Sequence, residues 1–195
     1  GAVYTLGRTL HGDAYKYHQT GAESNGSIYV QSQTGDTIPN PFKMPHTFGI
    51  GLTYVYDNRL TIGVDYTLQK WNTADLAWSK FNKESVEMNS RTKIAFGAEF
   101  VPSYISHNYL KRIRYRMGAY CSSPYNKVSY TSPDTGTTSF QDSAREYGVS
   151  IGFGLPMFQS KSMLNISGQY IKVSPKFKGL MEENYLRINI GLTFN

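Results

Sequence analysis

The sequence lacks the marks of several protein classes. Cys121 is the only cysteine among 195 residues, so an internal disulfide has no second thiol and a disulfide scaffold is excluded. No stretch approaches the roughly 18 consecutive apolar residues that a membrane-spanning helix needs, and mean hydropathy is negative. The four histidines, His11, His18, His46 and His107, are scattered and stand in no metal spacing with Cys, Asp or Glu. Spacing supports neither a Ser/His/Asp arrangement nor a carboxylate pair. The expectation is a non-enzyme without metal or cofactor. Net charge is +6, yet the cations are spread along the chain with no recognition helix, zinc spacing or stacking motif, which excludes a nucleic-acid partner.

Other residues are abundant. The chain carries 16 Tyr, 10 Phe and 18 Gly with only 39% apolar residues, a mix that suits β-strands and aromatic girdles. Period-two alternation is the dominant signal. Between Arg59 and Gln69, Leu60, Ile62, Val64, Tyr66 and Leu68 share one face, and Thr61, Gly63, Asp65 and Thr67 the other. Just upstream Phe48, Ile50, Leu52, Tyr54 and Tyr56 alternate with small or polar residues, and Asp57-Asn58 supplies the hairpin turn. The pattern returns in four further segments, Lys93 to Phe100, Arg112 to Ala119, Glu146 to Leu155 and Leu164 to Tyr170, and closes with Leu186 to Phe194. Weaker candidates around Val3 to Arg8 and Ser27 to Ser32 bring the expected total to about nine strands. Gly49-Ile50-Gly51 and Gly152-Phe153-Gly154 lie inside strands and open no helix, so they are strand glycines and not phosphate loops.

Connections alternate in length. Joins near Asp57-Asn58, Pro102 to Asn108 and Pro156 to Ser160 are short; Trp71 to Ser90 and Ser122 to Arg145 are long, with a loop tip expected at Ser132 to Thr138. An outer-membrane barrel has this asymmetry, with short periplasmic turns and long extracellular loops. A soluble antiparallel sandwich also alternates, but it buries its apolar face. The uniform apolar face and the Gly-, Ser-, Thr- and Asn-rich opposite face favour an all-β, antiparallel up-and-down transmembrane barrel in the outer membrane of a Gram-negative bacterium. Outer-membrane lipid is then one partner, and the glycosylation pattern Asn25-Gly26-Ser27 is without consequence. Gly1 and Ala2 lead straight into a strand-like run, so the expectation is a mature chain or part of a longer one.

Charges on the wet face form a ladder. Arg112, Arg114 and Arg116 stand two apart and therefore share a face if the strand is regular, and Glu99 and Glu146 fall on that face from neighbouring strands. Two roles are open. The ladder braces the wall and fills the lumen, or it forms a cationic constriction that selects anions or the head group of an amphipathic solute. Under the second role Arg112, Arg114 and Arg116 contact a carboxylate head, with Asp65, Glu99 and Arg187 bracing the wall.

Certain segments resemble the FadL family of outer-membrane transporters, in a form typical of Bacteroidetes. They are Met44-Pro45-His46-Thr47-Phe48-Gly49-Ile50-Gly51-Leu52, similar to that family's Pro-x-Thr-x-x-x-Gly strand opening, and Asp65 to Trp71 one strand later. Arg116 to Tyr120, Ser123-Pro124-Tyr125 and the closing strand from Tyr185 to Phe194 add to the likeness, which spans roughly residues 40 to 195. The resemblance implies passive uptake of hydrophobic or amphipathic molecules such as long-chain fatty acids, with that solute as partner. It also implies a fourteen-stranded barrel with an amino-terminal hatch, of which residues 1–195 would be the carboxyl-terminal part, a single β-barrel domain without the hatch. The alternative function is a structural or surface-binding barrel whose long loops engage a partner.

Overall fold

A computed structural model describes residues 1–24, 27–40, 42–73, 87–131, 137–157, 162–175 and 181–194. Eight strands form one antiparallel sheet, built by alternation at 47–56 and 60–69 and repeated downstream. They are β1 (Ala2–Thr5), β6 (Thr47–Tyr56), β7 (Leu60–Gln69), β8 (Arg91–Phe100), β9 (Arg114–Ser122), β12 (Ala144–Pro156), β13 (Met163–Pro175) and β14 (Glu183–Thr193), in the order β1-β6-β7-β8-β9-β12-β13-β14. Three two-stranded ladders stand apart: β2 (Thr9–Leu10) with β5 (Phe42–Lys43), β3 (Asp13–Ser24) with β4 (Ser27–Pro39), and β10 (Lys127–Thr131) with β11 (Thr138–Asp142).

The short joins share one end of the sheet. At the β6–β7 turn Asp57 and Asn58 have φ of 48° and 50°, and the Arg59 N–H donates to Tyr56 O at 3.0 Å. Two successive positive φ angles are the requirement of a type I′ turn, which Asp and Asn meet more readily than other non-glycine residues. Across the β8–β9 join, Asn108 caps a one-turn helix, Tyr109–Arg112, by accepting from the Leu110 N–H at 3.0 Å. Strand β9 therefore begins at Arg114, two residues later than parity suggests.

All three separate ladders lie at the opposite end, where the long connections leave the sheet. The first connection is a hairpin, with β1, β2 and β3 on one arm and β4, β5 and β6 on the other. Gly7 makes its crossing possible: a β carbon there would stand 2.8 Å from Met44 O and 2.9 Å from His46 N, too close for any side chain. Beyond Gly12 and Asn40 the β3–β4 ladder continues for 12 residues on one arm, about 40 Å at strand rise.

The strand expected around Val3 to Arg8 appears as β1, and the one expected at 27–32 exists but belongs to this projecting hairpin; β2, β3, β5, β10 and β11 were not anticipated. The Ser132 to Thr138 loop tip falls at 132–136 outside the described residues, with Thr138 opening β11. Residues 25–26 of the glycosylation pattern and 158–160 of the third short join also lie outside them. Among the described residues β1 and β14 are sheet edges with no pairing between them. The structure is thus all-β with one large antiparallel sheet.

The apolar face is not a core. Ile38, Val101, Ile113 and Ile171 are the buried hydrophobic residues among those described, whereas Leu52 is 76%, Ile188 68% and Ile190 73% exposed. Paired residues of an antiparallel ladder share a face, so the registers Leu52–Val64, Val64–Phe96 and Phe96–Ala119 make this a continuous apolar surface. A soluble sandwich would bury it, and water tolerates no patch of this extent.

Candidate functional site

On the wet face, register brings the charged ladder together. Glu99 pairs with Arg116 across β8–β9, and Glu99 holds both neighbours: Oε2 is 2.6 Å from Arg116 Nε and Oε1 3.2 Å from Arg114 Nη1. Arg116 Nη1 also donates to Asn165 Oδ1 at 2.8 Å, two strands further on. One guanidinium thereby joins β8, β9 and β13. Gly152, which pairs with Arg116, makes room for this reach across β12.

A second cluster lies nearer the long-connection end. Tyr120 OH donates to Glu146 Oε1, Arg91 Nη2 is 3.7 Å from Glu146 Oε2, and Lys93 Nζ stands 4.3 Å above the Tyr120 ring. Arg91 Nε further donates to the buried Ser122 hydroxyl at 2.8 Å. The Tyr120 ring lies over Gly148, in the space a larger residue would occupy. Between the clusters runs a row of glycines, Gly63, Gly97 and Gly118, aligned across β7, β8 and β9 and followed by Ser150.

The six residues singled out from the sequence thus divide. Arg114, Arg116 and Glu99 form one bonded cluster. Arg112 lies in the Asn108-capped helix, which takes it out of the strand's alternation. Asp65 faces Gly51 and Ala95 across its ladders, and Arg187 faces Gln169 on β13; neither pairs with the arginine cluster. Asn165, Arg91 and Tyr120 were missed. Parity places each of them on the wet face, but only the register between strands brings them to their partners. Ions about one-third exposed on a β-wall suit bracing, each pair being worth on the order of 1 kcal/mol.

The long-connection end is a knitted structure. The β7–β8 connection meets the β9–β12 connection through the bridge Met88–Asn126, the Lys127–Glu87 ion pair at 3.1 Å and the bond from Asn89 Nδ2 to Asp142 Oδ1 at 3.2 Å. Trp71, in the 3₁₀ turn Trp71–Thr73, packs on Tyr125 with ring centroids 5.5 Å apart. Nearby, His46 Nδ1 lies 2.7 Å from Tyr4 OH, and the Lys70 N–H donates to His46 O at 2.9 Å, so His46 ties the first hairpin to β7. Leu10 and Phe42, paired in β2–β5, and Tyr15 and Tyr17 on β3 leave large apolar or aromatic groups in the open. This presents an apolar and aromatic surface beyond the sheet, built on hydrogen-bonded backbone.

No curated protein and no solved structure matches the chain. The likeness to FadL-type transporters, with passive uptake of fatty acids and a small-molecule solute as partner, is overturned by the family comparison. Of the motifs that carried it, the alternating aromatics are common to membrane β-sheets whatever their task. A different family model, described as BamG, matches residues 2–195. The chain therefore belongs to the BamG family, a family of the bacterial outer membrane.

Proposed function

We propose that this protein is an outer-membrane β-barrel domain that acts as a structural partner in the BAM complex, engaging another protein through the surface above its long-connection end. Family membership points to an outer-membrane assembly role, and the apolar face supports burial of the sheet in lipid. In this reading the sheet is part of a closed barrel wall, since an edge strand in a bilayer would leave backbone groups without partners. The short turns face the periplasm and the long connections the cell exterior. The lumenal charges brace the wall.

The observation that carries the docking role is where this fold places its extra structure. β2–β5, β3–β4 and β10–β11 all stand at the same end, with Leu10, Phe42, Tyr15 and Tyr17 exposed. Tyr is favoured at protein interfaces because it offers a large contact area at low entropic cost.

Gly12 and Asn40 provide a clean test. Asn40 N–H donates to Gly12 O at 2.8 Å, so residues 13–39 can be replaced by a two-residue turn without moving the sheet. The expected result is a protein that still reaches the outer membrane but no longer co-purifies with BAM components. Undiminished co-purification would remove the docking role.

A further inference from the structure

The lipid-facing surface is not uniform. Ala98 lies between Phe96 and Phe100 along β8 and pairs with Ile62 and Met117 across its ladders, so one small side chain is ringed by large ones. A groove of about 300 Å³ results, walled by Leu60, Phe100, Tyr115, Met117 and Phe153. Tyr115 and Phe153 meet edge to face with centroids 5.9 Å apart, which fixes one wall. Leu60, Phe100, Tyr115 and Phe153 lie toward the short-turn end of their strands, and two cations, Arg59 and Lys111, belong to the joins at that end. Arg59 immediately precedes Leu60. Its contact with Asp57, 3.3 Å, is between side chains more than half exposed, so it is weak and open to competition. Tyr115 OH donates to Leu110 O at 3.0 Å, which places the helix Tyr109–Arg112 and its exposed Lys111 beside the groove. The same connection exposes Tyr104, Ile105 at 90% and Leu110 at 62%, the residue types that enter a membrane interface.

We infer that this groove seats an acyl chain of an anionic phospholipid in the leaflet at the short-turn end, with Arg59 and Lys111 meeting its phosphate. The groove is continuous with the lipid-facing surface, and its cationic rim matches an anionic head group. A purely apolar protein surface laid on the same face would offer nothing to compete with Asp57 for Arg59 and no anion for Lys111. The inference rests on the lipid-facing assignment of the apolar face and is independent of docking at the other end.

The test uses the full-length protein in nanodiscs containing phosphatidylglycerol or phosphatidylcholine with a diazirine in one acyl chain, and maps the adducts by peptide sequencing. Phosphatidylglycerol should label the β8 and β9 peptides around Ala98 and Met117 about fivefold more than phosphatidylcholine, the effect of about one interfacial cation. Ala98→Phe, which fills the groove with an apolar ring on a lipid-facing site, should remove that excess and leave labelling at Ile188 unchanged. Lys111→Glu combined with Arg59→Glu should equalise the two lipids. Equal labelling by both lipids in the parent protein, or an excess that survives Ala98→Phe, overturns the seat. Absence of labelling at Ile188 as well would overturn the lipid-facing assignment beneath it.

Discussion

Glu99 and Arg116 are direct partners across the β8–β9 ladder, and the carboxylate Oε2 lies 2.6 Å from the guanidinium Nε. Because Arg114 shares the same carboxylate, removing it leaves two neighbouring cations on one strand. Glu99→Ala should therefore lower stability by about 1 to 2 kcal/mol, read as a shift of the urea midpoint in detergent or vesicles. The combined change with Arg116→Gln should cost less than the sum of the single changes. Strict additivity would show that the contact does not brace the wall.

Adjacent residues on β14 face opposite environments. Ile188 belongs to the apolar face and Asn189 to the wet one. Ile188→Arg should cost about 2 to 4 kcal/mol near the middle of a bilayer, and Asn189→Arg close to nothing. Equal costs, measured by urea unfolding from vesicles, would deny that the two faces differ in solvent.

Glycines on the wet face differ in the space around them. A β carbon at Gly148 would collide with the Tyr120 ring, whereas one at Gly97 would meet nothing within 4 Å. Gly148→Ala should destabilise by about 1 to 3 kcal/mol through overpacking, and Gly97→Ala by well under 1 kcal/mol. The two urea midpoints, measured side by side, check the contrast, and matching values would contradict the packing of Tyr120 against β12.

Asn58 holds φ at 50° in the β6–β7 turn. Asn58→Val should cost about 1 to 2 kcal/mol, because a β-branched residue is disfavoured there, and Asn58→Gly should be neutral or stabilising. Thermal or urea unfolding of both variants gives the comparison.

Where one face of a sheet is apolar and the other polar, the period of two survives in the sequence, which is why all eight main-sheet strands were legible before the structure, β1 as the weaker candidate around Val3 to Arg8. Asp13 to Ser24 failed that test for a physical reason. Tyr15, Tyr17 and His18 are exposed and Lys16 only half-buried, so along this arm no face is consistently buried and the apolar alternation is weak. Arg112 was misplaced because parity was carried through a segment that Asn108 caps as a helix. Arg116 and Glu99 could be put on one face from sequence alone, but the reach of Arg116 to Asn165 depends on register across three strands. The family was not legible because most of the residues used to infer it follow a two-faced strand pattern that many β-sheets share.

The central claim is that the long-connection end, and not the lipid-facing wall, meets the protein partner. A photo-crosslinking amino acid placed at Tyr17 and, separately, at Ile188 in the full-length protein in intact cells tests it most directly. The account predicts a covalent adduct with a BAM subunit from position 17 and none from position 188. A BAM adduct from position 188 with none from position 17 would contradict it.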